Sequence, residues 1–372
     1  MSVELTGEQT ALRSTVRRFF DQEAPLGKVR ELADDPRGYD DKYWRQLAEF
    51  GFTAMLVPEA QGGGSLTDAP LEDMSLLAEE VGRAVAGGPF VGTNVVADAL
   101  ARSPGDFGDV LQALAAGDAT AAWAVAERSV WDPVKLTTEL VEVDGRRVLR
   151  GRKDWVESAQ SVDYFLVTAR DGDGVAEVLV PSDTPGVRID RLKSLDLVRR
   201  FASVSFDDVT LPDRAVVCSG EQAWAEVERQ LQVAITLLCA ETVGAVDRVF
   251  DMVLEYAHTR VAFGRTIGSY QALKHRLADH KLWLEASFGL AAGLASAVSH
   301  GDPKAAELAS IAKAHICDRS VETLQDCVQI FGGIGLTWEH DIHLFLRRAV
   351  TNFSLYGTPA DHRERLCVLA GL

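Results

Sequence analysis

Between residues 121 and 212 the chain changes its hydrophobic period, and that change limits the folds open to it. Val141, Val143 and Val148 alternate with polar residues across Asp144-Gly145, the pattern of a tight two-residue hairpin. Further strands read at Tyr164 to Ala169, Val175 to Val180 and Ser203 to Phe206. Short strands spaced by turn residues predict a small antiparallel barrel or sandwich. On either side the period is helical. Thr6 with Gln9 predicts a capping box before the stripe Leu12, Val16, Phe19 and Phe20, and Pro25 ends that helix. Trp44, Leu47 and Ala48 open a second stripe that stops at Gly51, and Leu71, Met74, Ala78 and Val81 form a third. A fourth, through Phe107, Leu111 and Leu114, closes at Gly117. Helices resume near Glu221, with one start expected at Asp302-Pro303. The expectation is an α+β chain of three domains: helical over 1-119, strands over 120-215, helical over 216-372.

Composition narrows the function classes. An apolar fraction of 47% and a charged fraction of 25% are those of a soluble globular protein. A formal charge of -17 disfavours nucleic acid and anionic membranes as partners. An anionic ligand would need a local basic patch, for which Arg260, Lys274, His275, Arg347 and Arg348 are candidates. Five cysteines with no short ligand spacing read as buried free thiols in a reducing compartment, with no metal site. The first twenty residues carry charges throughout, unlike a signal peptide, and no run approaches the roughly 20 apolar residues of a membrane span. A cytoplasmic protein is expected.

Two motifs carry chemistry. An amphipathic helix with Val246, Val249, Phe250, Val253 and Ala257 on one face stops at Arg260-Val-Ala-Phe263-Gly264, and a second helix is expected from Ser269 with Gln271 and His275 on one face. Later come Gln329, Gly332, Gly333 and Gly335, an amide beside glycines that let a phosphate or sugar approach the backbone. In this order and separation the motifs resemble the flavin-contact signature of the acyl-CoA dehydrogenase family, over nearly the whole chain. The resemblance implies an N-terminal helical domain, a central antiparallel β-barrel or sandwich and a C-terminal four-helix bundle. It implies FAD as cofactor, oxidation of an acyl-CoA thioester to a trans-2-enoyl-CoA, and an electron-transferring flavoprotein as acceptor. The implied cofactor contacts are Arg260, Phe263, Gln271, Gln329, Gly332 and Gly333, with Trp155, Ser158, Gly357 and Thr358.

The departures from the family pattern matter as much. The α proton is a weak acid, so a carboxylate base must act on it. The family's late Glu-Gly-Thr loop reads Tyr356-Gly357-Thr358 here, and a phenol, with a reference pKa near 10, is a poor base at neutral pH. A second base position, on the helix before the Arg260 turn, aligns with Ala234. Glu241 lies on the same face but about 10 Å further along the axis; it is the candidate base within this chain, with Glu339 and Asp341 behind it. The family's Thr-Glu-Pro-x-x-Gly-Ser-Asp loop matches Ala124 to Asp132 without its Gly-Ser pair. Glu157 replaces a residue that is often threonine, an acid unfavourably placed beside a reduced, anionic flavin. What is kept serves a neighbour's FAD in the family, and what is lost serves a subunit's own. The chain therefore resembles one subunit of the actinobacterial heterotetrameric dehydrogenases that act on steroid side chains, completing the FAD site of a paralogous, base-carrying partner. The alternatives are a homotetramer using Glu241 and a noncatalytic scaffold or thioester-binding subunit.

Overall fold

The structure, a computed structural model, describes residues 5–128 and 135–371. Ser129, Trp131 and Asp132 of the loop compared above lie outside them. The described helices are α1 (Gly7–Glu23), α2 (Leu26–Glu31), α3 (Asp41–Glu49), α4 (Pro70–Ala84), α5 (Phe90–Arg102), α6 (Gly108–Ala115), α7 (Glu221–Thr259), α8 (Gln271–Ser299), α9 (Ala305–Phe331), α10 (Ile342–Ser354) and α11 (Pro359–Leu369). Contacts divide the chain into two compact units. One comprises Val29–Met74 and Gly87–Ala234; the other comprises Met1–Lys28, Ser75–Ala86 and Ile235–Leu372.

The first of these, the strand unit, is built on β1 (Ala121–Ala124), β2 (Glu139–Val143), β3 (Arg146–Glu157), β4 (Tyr164–Asp171), β5 (Gly174–Pro181), β6 (Val187–Leu192), β7 (Phe201–Leu211) and β8 (Val216–Ser219). The order is β6-β7-β3-β2-β4-β5-β8, with β1 also on β4. Val143 pairs with Arg146 across Asp144-Gly145, whose φ values of 51° and 71° are both positive, as a type I′ hairpin requires. The sheet is mixed rather than purely antiparallel, because β1 runs parallel to β4 and β2 meets β4 in parallel at Glu139 and Arg170. Parallel neighbours need a long crossover, which the β2–β3 hairpin supplies between β1 and β4. All four residues of β1 are buried, so it shows no alternation. Helix α5 escaped the stripe reading for a similar reason: it is buried on every side from Phe90 to Leu100. Leu149, Phe165, Val167, Val178, Val204 and Phe206 form the core of the sheet.

The second unit is helical. Thr6 and Gln9 form the expected capping box, with reciprocal bonds of 3.0 and 3.1 Å. Helices α4 and α7 cross closely at two glycines. A Cβ on Gly82 would lie 1.8 Å from the Glu241 carbonyl oxygen, and one on Gly244 would lie 1.9 Å from that of Glu79. Gly244 thus serves close packing of the two helices. Arg17 pairs with Glu80 at 2.6 Å, and Arg83 with Asp251 at 2.9 Å and with Asp247, fastening α1 and α7 to α4. Helix α8 is long and apolar enough to cross a membrane by length and composition. Here Leu284, Ala291, Leu294 and Val298 are among its buried residues, and it packs along α9. The helix expected at Asp302-Pro303 begins at Ala305, because Asp302 Oδ1 accepts from the Lys304 amide at 2.8 Å in a turn ahead of it.

Two outcomes follow from this packing. Gly244→Val places side-chain atoms inside the backbone of α4, so it should cost about 3 kcal/mol or more in urea unfolding; a loss within 0.5 kcal/mol, the usual range for surface changes, would contradict the crossing. Burial, reinforced by Glu80 and Asp247 and opposed by Arg13, pushes Glu79 up to about 7. A raised carboxyl favours the protonated folded state, so its contribution is full below its ordinary value and lost as pH rises through 7. Wild type should therefore lose on the order of 2 kcal/mol between pH 5 and 8, and Glu79→Gln should flatten that slope in unfolding titrations.

Candidate functional site

In the helical unit α7 ends at Thr259 and the chain turns through β9 (Val261–Ala262) and β10 (Arg265–Thr266). The two-residue turn is Phe263-Gly264, with φ of 52° and 80°. The Ile267 amide donates to the Arg260 carbonyl at 2.8 Å, the Tyr270 hydroxyl to the Ala262 carbonyl at 2.9 Å, and the Arg265 guanidinium lies 3.9 Å over the Tyr270 ring. The hairpin is locked at its base while Phe263, 99% exposed, stands at its tip. Helix α8 begins at Gln271 rather than Ser269, because Ser269 Oγ donates back to the Thr266 carbonyl at 2.6 Å. Gln271 and His275 meet at 3.0 Å on its exposed face.

Helix α9 carries Gln329 in its last turn and stops at Gly332, whose φ is 66°. A Cβ at Gly332 or Gly333 would meet nothing within 4 Å, so the backbone there is open to a ligand. Tyr256, near the end of α7, packs 5.0 Å from the Phe331 ring and donates to the Phe331 carbonyl at 3.4 Å. That contact brings the Arg260 hairpin and the glycine turn to one end of the unit.

The residues at the expected base positions are arranged differently. After α10, Tyr356 and Gly357 take φ of 59° and 92°, and Thr358 caps α11 with Asp361. His362 lies 2.8 Å from the Tyr356 carbonyl through Nε2 and 3.2 Å from Ser310 Oγ through Nδ1. Nε2–H therefore donates to the carbonyl, and Nδ1 accepts from the hydroxyl. Burial pushes His362 down to about 4, so the ring is neutral at pH 7. Lys313, fully buried, donates to the Asn352 and Phe353 carbonyls at 2.7 and 3.1 Å and caps α10. Glu241 is also buried. Its carboxylate is ion-paired with Arg348 and accepts from Asn352 Nδ2 at 3.3 Å, while Arg348 also donates to the Val85 and Ala86 carbonyls at 3.3 and 3.1 Å. Arg348, a candidate for a surface basic patch, is 1% exposed and committed to this network. Ala234 is fully buried in the strand unit's part of α7.

At the end of β3 the ladder slips between Lys153 and Val156, and Trp155 and Ser158 both take φ of 55°. Trp155 is 41% exposed and edge-on to Phe201, with ring centroids 6.2 Å apart. Glu157 is not the uncompensated acid that the sequence suggested: Arg199 pairs with it at 2.6 Å in a buried setting. No local signal marks this partner, which sits 42 residues away. Glu127, from the compared loop, accepts from buried Lys153 at 2.7 Å and from the Thr137 and Thr138 amides at 2.6 and 3.0 Å. Burial opposes its charge, but Lys153 and these bonds hold Glu127 at about 2.

Family models for the N-terminal, middle and C-terminal domains of acyl-CoA dehydrogenase match residues 6–105, 122–209 and 222–366. The chain belongs to the acyl-CoA dehydrogenase family. It is 30% identical over 362 residues to acyl-CoA dehydrogenase IpdE2 of Mycobacterium tuberculosis, covering 96% of both. It is 32% identical to FadE34 of the same organism, covering 94% of this chain and 46% of that protein. The solved structure of a Tcur3481-Tcur3483 steroid ACAD variant superposes with a TM-score of 0.88 at 26% identity over 98% of each chain.

Acyl-CoA dehydrogenases are FAD-dependent oxidoreductases, and membership gives this chain FAD as cofactor and acyl-CoA dehydrogenation as reaction class. In this acyl-CoA dehydrogenase the exposed hairpin, Gln271 and the open Gly332-Gly333 backbone fit the phosphate and sugar portion of such a cofactor. One consequence of its Tyr356 turn is measurable. A lowered histidine favours the neutral folded state, so its contribution is full above its ordinary value of 6.5 and lost as pH falls toward 4. Wild type should lose about 3 kcal/mol across that window, whereas His362→Gln should lose less. Parallel denaturation profiles would contradict the assignment.

Proposed function

We propose that this chain serves α,β-dehydrogenation of an acyl-CoA thioester to a trans-2-enoyl-CoA as one subunit of a hetero-oligomer, completing the FAD site of a paralogous partner that carries the base. The observation that carries this reading is the state of the carboxylates. By the resemblance Tyr356 and Ala234 stand at the family's two base positions, and in the structure Glu241 is held by Arg348 and Asn352. A base must reach the α proton at about 3 Å, and a carboxylate locked in a buried ion pair does not swing to it without leaving Arg348 unpaired.

FAD, when bound, supplies the acceptor for the β hydrogen. This chain's part is binding and orientation. Arg260 offers positive charge toward the pyrophosphate on a chain of charge -17, Gln271 and Gln329 offer amides, and Gly332 and Gly333 allow close backbone approach. The name of the steroid ACAD whose structure resembles this chain at 26% identity supports a bulky acyl group, such as a steroid side chain, as substrate. An electron-transferring flavoprotein is the proposed acceptor, and the cytoplasm the proposed compartment.

The test is flavin content and turnover, on the chain purified alone and with a co-expressed dehydrogenase paralogue. Little flavin and no turnover alone, but FAD and turnover together, is the expected result. Arg260→Gln in this chain should then weaken FAD binding to the pair by about tenfold or more. One FAD per chain with turnover when alone would replace this reading with a self-sufficient homo-oligomer.

A further inference from the structure

We infer that Glu157 and Arg199 close this chain's own ring-binding ledge to flavin, so that they determine which subunit of the assembly holds the isoalloxazine. The inference rests on the proposed shared site. A flavin ring has an apolar benzenoid end and a polar pyrimidine edge, and that edge needs donors and acceptors as well as a stacking partner. Trp155 gives the ledge a stacking partner. Among the described residues, the backbone groups beside it and one oxygen of Glu157 are engaged inside the protein.

Their partners can be followed group by group. The Ser158 amide donates to the Arg200 carbonyl at 2.7 Å, and the Ser158 carbonyl accepts from the amide and hydroxyl of Ser161 at 2.9 and 3.1 Å. Val156 and Glu157 are laddered to Ala202 and Phe201 of β7. Asp154 accepts from Ser203, from Arg152 at 3.1 Å and from the Arg128 amide at 3.1 Å. The Glu157 side chain is 8% exposed and faces Arg199, itself 6% exposed. A ring edge approaching this strand would have to open a desolvated ion pair, and opening one leaves a buried charge behind.

The ledge is also prevented from relaxing. Arg200, next in the chain, donates to the carbonyls of Leu32, Ala33 and Asp35 at 2.9, 2.8 and 2.7 Å, fixing the segment whose carbonyl holds Ser158. The left-handed φ of Trp155 and Ser158 is thereby maintained, although such backbone is costly for residues with a Cβ. A surface that offers stacking beside a desolvated ion pair discriminates against a ligand whose polar edge would have to open that pair.

The experiment uses the co-expressed pair. FAD per pair is measured by absorbance after denaturation, and the emission of Trp155 is taken as the difference between wild type and Trp155→Phe, with and without flavin. The expected result is one FAD per pair and Trp155 emission that flavin does not quench. Glu157→Thr combined with Arg199→Met, which removes both charges, should raise the content toward two FAD per pair and quench Trp155. Two FAD in the wild-type pair, quenched Trp155 in that pair, or a folded and assembled double variant that stays at one FAD would each overturn the inference. No flavin in the wild-type pair would instead sink the shared-site reading, and this inference with it. The wild-type quenching measurement stands even where the double variant fails to assemble.

Discussion

The helical unit depends on one buried ion pair. Arg348 on α10 meets Glu241 on α7 with both side chains 1% exposed, and it donates as well to the carbonyls at the end of α4. Separating such a pair costs several kcal/mol, because the remaining charge has no water to turn to. The pair therefore works as a geometric requirement: α10 holds its place only where a carboxylate awaits it. Gly82 and Gly244 let α4 and α7 approach closely enough for one guanidinium to reach both helices. A larger residue at either glycine would move the acceptors of Arg348 apart.

The same interaction governs the chemistry. A general base must be free to take a proton and give it up, with a pKa set near the working pH. Glu241 instead neutralises a buried arginine, and removing its charge would strand Arg348. Stability and catalysis make opposite demands on that carboxylate, and the fold has met the first. Lys313 shows a related economy at the other end of α10, where a buried ammonium meets helix-terminal carbonyls instead of an acid. The Tyr356 turn that follows is held by His362 as well, so this turn is fixed and presents a phenol, not a carboxylate.

How much could be read from the residues alone depended on distance along the chain. Thr6 with Gln9, Asp144-Gly145 and the Arg260 turn are local devices, each confined to a few residues, and each formed as written. Helix α5 and strand β1 were hidden because burial on all sides erases the periodicity that marks an amphipathic element. The start of α8 moved because Ser269 bonds backwards to Thr266 instead of capping forward. The buried pairs were the least legible. Arg199 and Glu157 lie 42 residues apart, and Arg348 and Glu241 107 apart. An arginine in a helical stretch reads as a solvated charge until its partner is located.

Those long-range pairs are also where this acyl-CoA dehydrogenase departs from its family pattern. The groups it leaves exposed, Phe263, Gln271 and the Gly332-Gly333 backbone, belong to elements that are locally specified and face outward. The acids it buries in pairs, Glu241 and Glu157, are committed to Arg348 and Arg199 and are not left to face a ligand. A carboxylate beside a reduced flavin is unfavourable when bare. Paired with Arg199 it becomes tolerable to the fold while remaining unhelpful to a ring. On the proposed shared-site reading, a chain released from holding its own flavin can accept such a pair, whereas the hairpin and glycine turn stay constrained by the cofactor of another subunit.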